Sequence, residues 1–313
     1  MIGSVGVALC RRVPIAELFA PAFRRAGSTL LHPSEVSDPE AVRFALCFLP
    51  DDNAFAPYEN LMLAASIGAG ADGIIRCPSL SPQVPVVRVE DADQANQMAG
   101  FALFHILYWH RRFDRLLEAQ QEARWARARS GRSPKGVVVG VMGLGFIGRR
   151  VAEVCRQLGY AVVTLSRSTP QTPMDGVRHM TLDALYGFAR QCDIVVGLLP
   201  DTPQTKGMLD ADFFAAMKPG TALIQLGRGG QVVEADLVAA LDGGHLAGAS
   251  LDVFAAEPLP QDSPLWHHRH ILVTPHTAAE ATTDAVVATV ENAFAALMQQ
   301  QRPRGLVDRD KGY

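Results

Sequence analysis

Three polar residues late in the chain have the types needed to bind an anion and move a proton. Arg228 lies between glycines in Ile224-Gln225-Leu226-Gly227-Arg228-Gly229-Gly230. Glu257 precedes a proline in Leu251-Asp252-Val253-Phe254-Ala255-Ala256-Glu257-Pro258-Leu259. His276 follows one in Val273-Thr274-Pro275-His276-Thr277. A guanidinium is a permanent cation whose fork matches a carboxylate. An imidazole gives and takes protons near neutral pH, and a neighbouring carboxylate favours its charged form. Each residue also has a bland reading: a structural ion pair for Arg228, a solvated turn for Glu257, a helix cap or core position for His276. Position argues for chemistry. Each follows a predicted strand, and open α/β sheets bind ligands beyond the carboxyl ends of their strands.

A second constellation lies upstream. The apolar run Val137-Val138-Val139-Gly140-Val141-Met142 leads into Gly143-Leu144-Gly145-Phe146-Ile147-Gly148, followed by Arg149-Arg150-Val151-Ala152. GxGxxG between a strand and a helix is a dinucleotide fingerprint: Gly143 allows the tight turn, Gly145 the approach of a pyrophosphate, and Gly148 the close packing of helix on strand. The anion then sits at the helix N-terminus, with Phe146 and Ile147 in its first turn. The next apolar run ends in Ser166-Arg167-Ser168-Thr169, where an NAD site would place a carboxylate against the ribose 2′-OH. Arg167 attracts a 2′-phosphate instead, and the hydroxyls of Ser166 and Ser168 can donate to it. The reading is NADP(H) rather than NAD(H).

The elements that must hold these residues alternate. Before residue 92 the pattern predicts strands over residues 4–9, 44–48, 61–67 and 84–89, and a helix over 15–26 closed by Gly27. A long helical pattern follows from about 92 to 129, apolar nearly all round in its first half and rich in Arg and Glu in its second. The polar break Ser130-Gly131-Arg132-Ser133-Pro134-Lys135 precedes a second alternating series. Its strands fall at 136–142, 161–165, 193–199, 222–226, 248–251 and 271–273, with helices at 149–158, 211–217, 235–241 and 283–300. Strands alternating with helices imply parallel sheets covered on both faces.

Composition removes whole classes of function. A formal net charge of -3 over 313 residues offers no footprint for nucleic acid or an anionic membrane. The N-terminus lacks the basic stretch of a secretory signal, and no apolar run is long enough to span a bilayer. The five cysteines form no CxxC and lie in or beside apolar runs, as buried thiols of a reducing cytoplasm do. The expected location is cytoplasmic. Trp266-His267-His268-Arg269-His270 matches no zinc spacing and reads as a surface loop, so no metal is expected.

Taken together, the chain resembles the D-isomer-specific 2-hydroxyacid dehydrogenase family, on the glyoxylate/hydroxypyruvate reductase side. The likeness runs nearly end to end. It includes Gly68-Ala69-Gly70-Ala71-Asp72, Leu107-Tyr108-Trp109-His110-Arg111-Arg112-Phe113-Asp114, Leu251-Asp252-Val253-Phe254, Ser263-Pro264-Leu265-Trp266 and the closing Val307-Asp308-Arg309. The resemblance implies NADPH-dependent reduction of a small 2-oxo acid. In it His276 would donate the proton, Glu257 would orient and charge the ring, and Arg228 would bind the substrate carboxylate and polarise the carbonyl. Gly68, Ala69 and Gly70 would offer backbone N–H groups to that carboxylate, with Phe48 as a pocket wall. Asp252 resembles the residue that meets the nicotinamide carboxamide; Leu199, Pro200 and Thr205 resemble the segment over the adenosine half.

The resemblance also implies two Rossmann-like or flavodoxin-like domains with the active site in the cleft between them. Residues 1–92 and 282–313 would form the substrate domain, and 93–281 the NADP-binding domain with a dimerisation helix. It further implies a homodimer, with Trp125 either edging the partner's site or simply packing. Two departures stand out. Phe48-Leu49 replaces a Trp common in glyoxylate reductases, which bears on the substrate, and Gly227 replaces a larger residue, which would loosen the backbone before Arg228. Other readings are a same-family enzyme for a bulkier 2-oxo acid, or a non-catalytic dinucleotide sensor on the same fold.

Overall fold

The computed structural model describes residues 3–10, 13–127 and 133–313. The chain divides into two units, Met1–Gln94 with Glu280–Tyr313, and Ala95–Ala279.

In the first unit β1 (Val5–Leu9), β2 (Thr29–Leu31), β3 (Val42–Cys47), β4 (Leu63–Ser66) and β5 (Val86–Val87) form a parallel sheet in the order β2-β1-β3-β4-β5. This is the flavodoxin-like order. Alternate residues feed two cores. Ala8, Phe44, Leu46 and Leu63 pack under α1 (Ile15–Arg25) and α9 (Thr283–Met298), and Val7, Ala45, Cys47 and Ala64 pack on the opposite face. Burial on both faces is why these strands read as continuous apolar runs.

The second unit repeats the principle on a larger sheet. Its strands are β6 (Val138–Met142), β7 (Ala161–Ser166), β8 (Arg178–Thr181), β9 (Ile194–Gly197), β10 (Ala222–Gln225), β11 (Gly248–Leu251) and β12 (Ile271–Val273), in the order β12-β11-β10-β9-β6-β7-β8. The order reverses between β6 and β9, the Rossmann switch point where dinucleotides bind. Helix α5 (Phe146–Gln157) follows β6 and buries Val151, Ala152 and Cys155 against the sheet. The expected α/β architecture with parallel sheets is met.

Several elements differ from expectation. The long helix is two helices, α3 (Ala92–His110) and α4 (Phe113–Gln121), broken where Arg112 turns left-handed at φ 54° and its guanidinium grips Asp114 at 3.0 and 2.6 Å. The end of the long helical pattern at residues 128–129 and the polar break at 130–132 lie outside the described residues, as do residues 1 and 2 of the N-terminus. Helix α3 packs Ala99, Ala102, Ile106 and Trp109 inward, and Trp109 donates from Nε1 to Ser250 Oγ at 2.9 Å, while Phe104 is 59% exposed on the single chain. Strands β2 and β8 were not expected: the first is three residues long and the second is polar. All five cysteines are free thiols. Burial raises Cys155 and Cys192 to about 12. Among the described residues, no helix is long and apolar enough to cross a membrane.

Candidate active site and nucleotide loop

Arg228, Glu257 and His276 all belong to the second unit, so this set needs nothing from the first unit to assemble it. They follow β10, β11 and β12, three adjacent parallel strands, and therefore leave the sheet at its carboxyl edge. His276 Nδ1 lies 2.9 Å from Glu257 Oε2, and Glu257 Oε1 accepts from Phe254 N at 3.1 Å. The ring nitrogen opposite, Nε2, is the one not turned to Glu257. Burial is the largest influence on Glu257 and pushes its carboxyl up. The His276 bond, the Phe254 N–H and the positive charges of His276 and Arg228 together outweigh it, holding the carboxyl below its ordinary value. Arg228 thus acts electrostatically on the same carboxylate that grips the imidazole. The loops after β10 and β11 touch: a Cβ on Gly229 would fall 1.9 Å from the Phe254 carbonyl carbon.

His276 has a left-handed backbone, φ 55°, uncommon for a residue with a side chain. Asp252, 1% exposed, holds it there. One carboxylate oxygen accepts from Thr274 Oγ1 at 2.7 Å and Thr277 N at 3.0 Å, and the other from Ala278 N at 3.0 Å. The Asp252 carbonyl accepts from His276 N at 2.8 Å. Three donors on one carboxylate and a fourth bond to its backbone over-determine the loop, which is how a strained φ persists. This clamp is a role the sequence reading did not assign to Asp252. A carboxylate ending an apolar strand was the available signal.

The glycine loop has the geometry a pyrophosphate needs. Gly143 has φ 104°, and a Cβ there would sit 2.7 Å from the Leu198 oxygen. A Cβ on Gly148 would sit 1.8 Å from the Gly143 oxygen. A Cβ on Gly145 would meet nothing within 4 Å, so one side of the loop is open just where α5 begins, with Gly145 as its N-cap. Phe146 and Ile147 form the first turn of α5. At the end of β7, Ser166 Oγ donates to the Ser168 carbonyl at 2.9 Å, so that hydroxyl proton is engaged within the loop that carries Arg167. These residues fit a dinucleotide with a 2′-phosphate.

Leu199 and Pro200 follow β9, wedged between the glycine loop and the segment before Arg228. Their carbonyls accept from Gln231 Nε2, both at 2.9 Å, and Gln231 is held in turn by Gln225. Neither glutamine was singled out from the sequence, although a Gln inside the apolar run of β10 was a visible anomaly. Thr205 is 3% exposed; its hydroxyl donates to the Pro200 carbonyl and accepts from Thr202 N at 2.9 Å, so it shapes this turn from within. The expected loosening at Gly227 is reversed. A Cβ there would meet the Leu199 oxygen at 2.8 Å, so glycine permits a tight approach.

In the first unit Phe48 and residues 68–70 lie at the carboxyl ends of β3 and β4. The Gly68 N–H is engaged by Ser66 Oγ at 3.2 Å, and Ser66 donates to the Gly70 carbonyl at 2.6 Å. Of the three N–H groups expected to face a substrate carboxylate, that of Gly68 is engaged inside its own loop. In the histidine-dense segment, His268 contacts Asp242 at 3.4 Å, and no metal-binding group occurs among the described residues.

The family description "D-isomer specific 2-hydroxyacid dehydrogenase, NAD binding domain" matches residues 103–278. Over 282 residues, 88% of this chain and 89% of the relative, the chain is 36% identical to glyoxylate/hydroxypyruvate reductase A of Serratia proteamaculans (strain 568). The chain belongs to the D-isomer-specific 2-hydroxyacid dehydrogenase family. A family member from Xanthobacter autotrophicus Py2, solved in complex with NADPH and MES, superposes with a TM-score of 0.93 at 34% identity and full coverage of both chains. The NADPH-dependent glyoxylate/hydroxypyruvate reductase of Sinorhizobium meliloti, solved with NADP and sulfate, gives 0.90 at 30% identity over 99% of this chain and 100% of that one.

Proposed function

We propose that this dehydrogenase reduces a small 2-oxo acid, glyoxylate or hydroxypyruvate, to the 2-hydroxy acid with NADP(H) as its cofactor. The observation that carries the reading is the 2.9 Å His276–Glu257 pair, with Arg228's charge acting on the same carboxylate, in the unit that bears the nucleotide loop.

Residues Gly143, Gly145, Phe146, Ile147 and Gly148 would hold the pyrophosphate; Ser166, Arg167 and Ser168 would surround the 2′-phosphate; Leu199, Pro200 and Asp252 would line the rest of the nucleotide site. When bound, the nicotinamide supplies the hydride. Arg228 binds the substrate carboxylate and draws electron density from the carbonyl. Glu257 fixes the His276 ring through Nδ1, so Nε2 delivers the proton to the carbonyl oxygen as it becomes an alkoxide. Glu257, held ionised, places a negative charge beside that ring. In the reverse direction the same ring takes the proton from the alcohol. Phe48 and the segment Gly68, Ala69 and Gly70 are proposed to contribute to substrate binding. A cytoplasmic homodimer is part of this reading, supported by the apolar side chains exposed on α3 and α4, Phe104, Phe113 and Leu117, and by Trp125 at 92% exposure.

The test is a panel of 2-oxo acids with NADPH and NADH. Glyoxylate or hydroxypyruvate should turn over with NADPH. His276→Ala should abolish turnover while NADPH still binds. No turnover of any 2-oxo acid by a protein that binds NADPH would instead support a nucleotide sensor, and preference for large 2-oxo acids would move the substrate.

A further inference from the structure

We infer that His179 is a positioning residue for NADP(H) preference: its imidazole pins the Ser166–Ser168 turn so that Arg167 is held where a 2′-phosphate binds. The inference rests on the proposed role of that turn.

Strand β8 pairs with β7 so that Thr164 faces His179 and Ser166 faces Thr181. Thr164 and Ser166 are two residues apart on one strand, so both project to the same face. The imidazole of His179 lies along that face and touches both. Its Nδ1 is 3.0 Å from Thr164 Oγ1, its Nε2 is 3.4 Å from Ser166 Oγ, and it also hydrogen-bonds the Ser168 backbone. Ser166 Oγ donates to that same Ser168 carbonyl at 2.9 Å.

In one consistent arrangement the Thr164 hydroxyl, which also lies 3.5 Å from the Arg178 carbonyl, donates to Nδ1, Nε2–H donates into the Ser166 Oγ and Ser168 carbonyl cluster, and the ring is neutral. Thr164 is fully buried, so this anchor is fixed in the core of the sheet. Burial pushes the His179 imidazole below its ordinary value, opposed by the Ser168 carbonyl, in agreement with a neutral ring. The result is a rigid path from the core, through Thr164 and His179, to the carbonyl that follows Arg167. Without the ring, Ser166 Oγ alone closes the turn, and the Arg side chain must be ordered at the moment of binding, which costs affinity.

Binding of NADPH and of NADH is measured by quenching of intrinsic fluorescence, with steady-state kinetics alongside. In His179→Leu, the Kd for NADPH should rise about five- to tenfold, the loss of one ordered hydrogen bond. The Kd for NADH should stay within about twofold, and kcat at saturating NADPH should hold. His179→Gln keeps an N–H near the position of Nε2 and should restore most of the NADPH affinity. If the leucine variant does not fold, Thr164→Val removes the anchor below the ring and should weaken NADPH selectively in the same direction. Equal losses for both cofactors, or unchanged NADPH affinity in a folded variant, would overturn the inference. Arg167→Asp separates the two claims. If it leaves the NADPH to NADH ratio unchanged, the turn does not read the 2′-phosphate and the underlying reading fails. If it reverses the ratio while His179→Leu does nothing, only the inference about His179 fails.

Discussion

Replacing Glu257 with Gln keeps the shape of the side chain and removes its charge. In the native site one oxygen accepts from Phe254 N at 3.1 Å and the other faces His276 Nδ1 at 2.9 Å. An amide has one accepting end and one donating end. If its oxygen stays on the Phe254 N–H, its NH2 points at Nδ1, and an imidazolium, which carries a proton there, loses its partner. If the amide turns over, the Phe254 N–H meets an NH2. A hydrogen bond to a charged group contributes roughly 1.5–3 kcal/mol. The side chains are 37% and 24% exposed, which places the figure at the low end. About 1.5 kcal/mol is about tenfold in rate. In Glu257→Gln, kcat/KM for glyoxylate with NADPH should therefore fall about 10- to 30-fold near neutral pH, with NADPH affinity retained. The two proteins are compared across a pH profile of the reduction. A variant within about twofold of the parent across the whole profile, still binding NADPH, would refute the pairing as the source of the proton donor.

The same carboxyl makes a pH prediction. Its value is held below the ordinary one, so its stabilisation is present above the ordinary value and is lost only as pH falls through the lowered one. Taking the protein from pH 7 to about 5 should leave the pair intact, checked by the Glu257 side-chain carbonyl shift in NMR. Gly148→Ala would push a methyl to 1.8 Å from the Gly143 carbonyl; NADPH affinity should drop by at least about tenfold, measured by fluorescence titration. Asp252→Asn turns an NH2 toward one of three donors, Thr274 Oγ1, Thr277 N and Ala278 N. It should cost about 2–3 kcal/mol in chemical denaturation and lower kcat by freeing the His276 backbone. Trp109→Phe leaves the Ser250 hydroxyl buried without its indole donor and should cost about 1–3 kcal/mol by the same measurement, with the NADPH preference unchanged.

The inner strands were legible because burial on both faces demands continuous apolar runs: β11 stands where the pattern places it, and β6 and β10 differ by one or two residues at an end; β12, an apolar edge strand, was legible as well. The glycine loop was equally plain, since the spacing of Gly143, Gly145 and Gly148 is imposed by a local turn. The short or polar edge strands β2 and β8 were not. Strand β8 is Arg178-His179-Met180-Thr181, with no apolar signature, and becomes a strand only because β7 offers an unpaired edge. The break in the long helix was hidden because Arg is a good helix former and a single Asp does not interrupt a helical pattern; a left-handed Arg112 held by Asp114 is a contact, and periodicity does not report contacts.

The identities of Arg228, Glu257 and His276, and their places after three strands, are written in the chain, because residue type and local pattern carry them. Which atoms meet is decided elsewhere. That His276 turns Nδ1 to Glu257, that Asp252 clamps the histidine loop and that His179 reaches under Ser166 all follow from strand register and loop packing. Those depend on pairings between residues far apart in sequence, whose geometry exists only once the sheets have formed.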